Sequence, residues 1–432
     1  MSGVAKAKRS DAGHEAALHE LAARIFDDIA AMSPDVAGVS RPAYSPVESK
    51  VLDYLEGVAR AHGLCTWRDA GANLVIARSN DVDRDARCGL IGSHVDSVPQ
   101  GGNFDGLAGV VAGLLTLVAF EGGKVELGVP VRVLALRGEE SAWFGQAYMG
   151  SKALLGKMTD AVLQSRHRDS GSTLGDAMAA VGVPVDRVRN GEALVDPASF
   201  AFFLELHIEQ GPILIDRGWP LAAVTGIRGN IRHRGIQCVG EAGHSGAVPR
   251  WLRHDAVVAT AELVMRMDEH WATIQQHGGD LVLTTGIFQT DAAHHAMSRI
   301  PGEATFSFEA RSQEQTTMNA IENLLHSECR IIERERGVRF HFDDIARAEP
   351  AELDERIVEA IKAACVAEGL PNEAVASGAG HDAAVFAQAG VPTGMIFVRN
   401  ANGSHNPNEH MDLDDFMAAV TVMRRVASEL TQ

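Results

Sequence analysis

Thiols are scarce in this chain and poorly placed for cross-linking. Five cysteines, Cys65, Cys88, Cys238, Cys329 and Cys365, are spread over 432 residues with no CxxC pair. That excludes a dense disulfide framework and a thiolate zinc knuckle, and it suits a reducing compartment. A basic surplus is also missing: 57 Asp and Glu against 39 Lys and Arg leave a formal net charge of -18. Nucleic acid and anionic membrane are therefore not expected as main partners. The longest apolar run, residues 107–120, falls short of the roughly 20 residues that span a bilayer. The amino-terminal MSGVAKAKRSDAGHEAALHE has basic residues but no apolar core behind them, so no secretory signal is expected and a cytoplasmic location is. GQAYMGSKALLG lacks GK[ST] at P-loop spacing. Neither an internal repeat nor a low-complexity tract is visible.

What remains is the composition of a folded globular protein, 46% hydrophobic and 22% charged. At this length two domains with sizeable cores are expected. Residues 17–31 and 47–62 read as amphipathic helices, separated by VSRPAYSP, whose Pro42 and Pro46 suit a loop. Residues 73–78, 88–93, 130–136, 200–206 and 393–398 read as short buried strands. Each of the last four runs into a polar loop. A buried helix over 106–120, an amphipathic helix over 353–368 and a terminal helix over 413–430 complete this set. Strands alternating with helices predict an α/β domain, a mostly parallel or mixed sheet with helices on both faces.

Between residues 222 and 345 the rhythm changes. Strands are expected at 231–239, 281–288, 304–310 and 338–342, with helices at 253–275 and 316–336. That is the βαββαβ order of a small α+β domain. We therefore expect a discontinuous larger domain, residues 1–221 and 346–432, with an inserted domain at 222–345.

The chemistry collects at strand ends. LIGSHVDSVPQGGNFDG puts His94 and Asp105 on the two sides of one glycine-broken loop, at the sheet edge where open α/β folds place ligands. Asp105 is also placed to cap the helix that follows. RGEES contributes Glu139 and Glu140, HIEQGP contributes His207, and NANGSHNPNEH contributes His405, with Glu409 and His410 more ambiguous. Imidazoles and carboxylates without thiolates suit zinc, manganese, cobalt or nickel. The set is larger than one catalytic ion needs, and two ions sharing a bridging carboxylate use all of it. Asp96 is placed to accept the second N–H of His94. Adjacent glutamates suggest a division of labour, one a ligand and the other a general base on metal-activated water. His244, in the turn EAGHSGAVP, can donate to an oxyanion or face solvent. Arg311 can take a substrate carboxylate bidentately or sit in a surface ion pair. His270, His277, His294 and His295 are expected at the surface.

Taken together, VSRPAYSP, GSHVDSVPQGGNFDG, GEES, ELHIEQGPIL, GEAGHSGAVP, SGAGHDA and GSHNPNE resemble the binuclear metallo-hydrolases of the aminoacylase/carboxypeptidase superfamily, and within it the hydantoinase/carbamoylase amidase branch. The resemblance implies that Asp105 bridges two divalent ions, followed by a cis peptide to Gly106. His94 and His207 would complete one site, Glu140 and His405 the other. It implies Glu139 as general base and proton donor, and His244 as an oxyanion-stabilising residue on a lid. Gln210, His244, Arg311 and Ser298 fall at substrate-binding positions, and the inserted domain would be a lid and homodimerisation domain. Two departures touch the pocket. Ser298 stands in AMSRIPG where many members have asparagine, and SAWFG follows the glutamate pair where many have Gly-Ser-Arg-Phe. The expected activity is hydrolysis of a linear non-peptide C–N bond in an N-carbamoyl-L-amino acid or other small ureido or amide substrate. The rivals are allantoate hydrolysis, deacylation of N-acyl amino acids or dipeptides, and a non-catalytic binding protein on the same scaffold.

Overall fold

The computed structural model describes residues 3–432, and side chains from residue 13 onward; residues 1 and 2, at the head of the segment read above as lacking a secretory signal, lie outside the described residues. The chain separates into two compact units, one formed by Met1–Thr225 with Glu352–Gln432 and the other by Gly226–Ala351. No helix among the described residues is long and apolar enough to cross a membrane.

The larger unit is built on a mixed sheet whose spatial order is Cys65–Arg68, Leu74–Ala77, Val131–Leu136, Cys88–His94, Phe200–Ile208, Thr393–Val398, Leu221–Ile227 and Ala351–Glu352. The four central strands, Val131–Leu136 to Thr393–Val398 in that order, are mutually parallel. Their side chains are buried almost throughout. Double-sided burial removes the polar/apolar alternation of a half-exposed strand, which is why these segments read as short continuous apolar runs. The helix Leu107–Gly123 is buried from Leu107 to Phe120 against them. Because the four strands run the same way, their carboxyl ends share one edge of the sheet, and all four polar loops open there.

Expected and observed elements differ at several strands. Cys65–Arg68, Leu221–Ile227 and Ala374–Ser377 are not evident in the periodicity. The helix expected from 47 starts one residue earlier, with Pro46 in its first turn and the Ser45 side chain accepting from the Glu48 N–H, as proline's missing N–H allows there.

In the smaller unit, Gly229–Val239 and Glu303–Ser312 pair antiparallel at the centre of a sheet flanked by Phe288–Gln289 and Arg339–His341. The helices Ala256–Gln276 and Gln315–Arg336 close its core, where Leu263, Phe306, Ile321 and Leu325 meet. The single strand expected at 281–288 is two pieces, Val282–Thr284 and Phe288–Gln289. Each pairs with Glu303–Ser312 in a register one residue apart, and a continuous strand cannot keep both registers.

Candidate metal centre

The parallel register sets Gly92 of one strand beside Glu205 of the next, so two residues further on His94 and His207 emerge side by side. Both imidazoles are about 1% exposed, and their Nε2 atoms are 3.5 Å apart. The Nδ1 of His94 lies 3.1 Å from the Asp96 carbonyl, and that of His207 lies 2.8 Å from the Ile208 carbonyl. With Nδ1–H donating to these carbonyls, each ring presents the lone pair of Nε2, the tautomer a metal requires.

Asp105 faces both sides of the site. Its Oδ1 is 3.0 Å from His207 Nε2 and 3.5 Å from His94 Nε2, while its Oδ2 is 3.4 Å from His405 Nε2. His405 Nε2 lies a further 3.3 Å from Glu140 Oε1. Two donor groups follow, His94–Asp105–His207 and Asp105–Glu140–His405, each with its donor atoms within 4.8 Å of one another. Tetrahedral donors at about 2.0–2.1 Å from a zinc-like ion are about 3.3 Å from each other. The spacings therefore fit such ions without rearrangement, and the hard N/O donors fit the chemistry.

Several expectations change in detail. Asp105 does not cap the helix after it: the cap residue is Gly106, which makes no side-chain capping bond. The carboxylate is turned away toward the imidazoles, where its charge has partners. No cis peptide bond is present among the described residues; Gly106 instead turns the chain through a left-handed φ of 67°. Asp96 holds more than His94: its two oxygens accept the N–H groups of Glu139 and Glu140, both at 3.0 Å. The glutamates sit in the loop after Val131–Leu136, so their backbone is oriented by Asp96 and not by strand geometry.

Electrostatics divide the carboxylates. Burial pushes the Glu139 carboxyl well above its usual range against the pull of His94, with Glu140, Asp382 and Asp96 adding to the rise. Burial acts the same way on Asp105, but the imidazoles of His207, His405 and His94 overcome it and hold Asp105 well below the usual range. Glu139 belongs to neither donor group. A buried carboxyl outside the ligand set and next to Glu140 has the placement of a proton carrier.

Gln210 also reaches the centre. Its Nε2 donates to Asp105 Oδ2 at 2.7 Å, and its backbone N–H donates to Asn400 Oδ1 at 2.9 Å. His244, Ser298 and Arg311 belong to the smaller unit. There His244 pairs with Arg299 in a small two-stranded antiparallel sheet, the Ser245 N–H donates to the Ser298 carbonyl at 2.9 Å, and both His244 and Ser298 are exposed. Arg311 is in an ion pair with Glu309 at 2.9 Å.

Sequence reading missed several groups around the centre. Glu205, fully buried, accepts from Ser93 Oγ at 2.6 Å and from the Ala383 N–H at 2.8 Å. A charged residue inside the apolar run FAFFLELHI, two before His207, was a signal available for it. Arg41, also fully buried, donates from Nε to the Val95 carbonyl at 2.7 Å and from Nη1 to Asn103 Oδ1 at 2.8 Å, bracing the loop between His94 and Asp105. Nothing in VSRPAYSP alone announces that.

Gly106 leads to a prediction. A Cβ there would lie 2.3 Å from Cε1 and Nε2 of His94, on a backbone with φ of 67°. Gly106→Ala is expected to displace the imidazole and to lower metal affinity by at least the roughly 10–100-fold seen when supporting groups of a metal site are lost. Metal content after dialysis against a weak chelator measures it, and wild-type retention would show that the loop adapts.

The family model described as peptidase family M20/M25/M40 matches residues 90–429. The chain belongs to this family. An N-carbamoyl-L-amino acid amidohydrolase of Geobacillus stearothermophilus is 32% identical over 91% of this chain and 94% of its own length. An allantoate amidohydrolase of Escherichia coli is 30% identical over 91% and 93%. A solved hydantoinase/carbamoylase family amidase from Burkholderia ambifaria superposes with a TM-score of 0.82 at 29% identity, over 96% of this chain and 98% of that one. A second, from Burkholderia multivorans, has a TM-score of 0.85 at 26% identity with the same coverage. The resemblance read from the motifs is thus borne out. Membership of the M20/M25/M40 family makes the protein a metal-dependent hydrolase of carbon–nitrogen bonds.

Proposed function

We propose that the protein hydrolyses the ureido C–N bond of N-carbamoyl-L-amino acids, with two divalent ions per subunit. Zinc fits best, with manganese, cobalt or nickel able to replace it on the same donors. His94 and His207 would hold one ion, Glu140 and His405 the other, and Asp105 both. When bound, the ions supply Lewis acidity at the substrate carbonyl and acidify water. Glu139 takes the proton of the attacking water and returns it to the departing nitrogen, and Asp96 holds Glu139 in place through its backbone N–H. His244 donates to the developing oxyanion and Arg311 takes the α-carboxylate. Gln210 and Ser298 line the substrate position. The smaller unit acts as lid and homodimerisation domain. The products are the amino acid, ammonia and carbon dioxide. The free state of all five cysteines accords with a cytoplasmic setting.

The observation that carries the carbamoyl reading is Gln210. Its Nε2 is committed to Asp105, while its Oε1 is buried with no hydrogen-bond partner. A buried acceptor left unpaired is costly. The NH2 of a carbamoyl group supplies the missing donor, and the methyl of an acetyl group does not. Allantoate, whose two ureido groups offer the same donors, is the second reading, favoured by the Escherichia coli relative.

Ammonia release from N-carbamoyl-L-amino acids, 3-ureidopropionate and allantoate, compared with hydrolysis of N-acetyl amino acids and dipeptides, tests this with each metal in turn. Ureido acids are expected to turn over with ammonia released in step with amino acid. Turnover of acyl amides alone would overturn the carbamoyl reading, and a preference for allantoate would select the second.

A further inference from the structure

Glu409 lies 304 residues from Asp105 in the chain, yet its Oε1 accepts the N–H of Phe104 at 2.9 Å and that of Asp105 itself at 3.2 Å. Its Oε2 is 2.5 Å from Ser404 Oγ, and that hydroxyl lies 2.6 Å from Asp105 Oδ2. The backbone and one oxygen of Asp105 are therefore both tied to one buried glutamate, directly and through one serine. Ser404 precedes His405, whose backbone is held at a left-handed φ of 59°, a conformation that side-chain-bearing residues adopt only when their surroundings impose it. Space has been left for the arrangement: a Cβ on Gly102 would lie 2.2 Å from Glu409 Cδ.

We propose that Glu409, acting through Ser404, is the positioning residue that aims Asp105 and His405 at the metal ions. Asp105 can serve both donor groups only if its carboxylate plane is held with Oδ1 toward His94 and His207 and Oδ2 toward Glu140 and His405. The imidazoles alone do not fix that rotation, because either oxygen fits either side. The Ser404 hydroxyl on Oδ2, together with the Gln210 amide that donates to the same oxygen, breaks the equivalence, and the two backbone N–H bonds anchor the residue from which the carboxylate swings. Glu409 plays toward Asp105 the part that Asp96 plays toward Glu139 and Glu140, a carboxylate gripping two successive N–H groups of the segment that carries the working side chain.

This rests on Asp105 being a ligand of both ions, and the test separates the two claims. Zinc affinity and stoichiometry are measured by chelator competition on Glu409→Gln, Ser404→Ala, Gly102→Ala and Asp105→Asn. The cobalt-substituted absorption spectrum of each reports ligand geometry, and thermal unfolding of the zinc-free proteins reports the fold. Glu409→Gln and Ser404→Ala are expected to lose about 10–100-fold in zinc affinity, with an altered cobalt spectrum and little change in zinc-free stability. Gly102→Ala, which touches neither ligand, is expected to share the spectral change. If Glu409→Gln fails to fold, Ser404→Ala carries the test, since it leaves both backbone bonds of Glu409 intact. Wild-type affinity and spectrum in the Ser404 and Glu409 variants, with only stability lowered, would reduce Glu409 to a structural brace. Two ions retained at wild-type affinity in Asp105→Asn would instead overturn the shared-ligand reading.

Discussion

Glu139→Gln is expected to fold, to retain its metal ions and to turn over substrate about 10²–10⁴-fold more slowly, the usual contribution of a positioned general base. The substitution keeps the shape of the side chain and leaves the bond from the Glu139 N–H to Asp96, so the loop has no reason to move. What is lost is the ability to take a proton and return it. Because Glu139 lies outside both donor groups, metal stoichiometry should stay at the wild-type value, and the loss should appear in kcat with KM little changed. Burial that pushes the Glu139 carboxyl up brings its proton affinity toward that of the nitrogen it must serve. Steady-state kinetics with metal analysis on the same preparation decide the matter. Turnover near the wild-type rate would mean that another group moves the proton.

Removing the metals should have the other large effect. A strong chelator is expected to abolish activity, and zinc, manganese, cobalt or nickel to restore it to different degrees. Asp105→Asn should prevent full restoration: an amide offers one acceptor oxygen where Asp105 offers two, and its NH2 would turn a donor proton toward one of the sites. The chelated protein should also melt earlier. The carboxylates of Asp96, Asp105, Glu139 and Glu140 are all buried, so taking the cations away leaves several acidic groups crowded in a poorly solvating interior with only the neighbouring imidazoles to offset them. Binding at 1,000 times Kd stabilises the folded state by about 4 kcal/mol per site. Calorimetry with and without metal measures the difference, and an unchanged melting temperature would argue against tight binding at this cluster.

How much of this could be read from the sequence follows from how local each signal is. The four central strands were legible because burial on both faces makes apolar runs, and their ends because His94, Glu139 and His207 close those runs or stand just past them, with His405 in the polar loop after the last. Short strands such as Cys65–Arg68 and Ala374–Ser377 owe their existence to neighbours in the sheet, and too few residues repeat for a period to show. The break between Val282–Thr284 and Phe288–Gln289 was invisible for another reason: it is imposed by a register shift against a partner strand.

By itself, the sequence determined the kind of chemistry. Histidines and carboxylates without usable thiols, each at the end of an apolar strand, point to a hydrolytic metal site, because side-chain donor type is a property of the residue. The tertiary structure alone decided how those donors are aimed. Parallel pairing set His94 beside His207, and a turn at Gly106 swung Asp105 away from its helix so that its two oxygens face two donor groups. Asp96 gathered the backbone of Glu139 and Glu140, and Glu409 reached back across the chain to the backbone of Asp105. Orientation depends on hydrogen bonds between residues tens to hundreds of positions apart, and no local pattern in the chain encodes those.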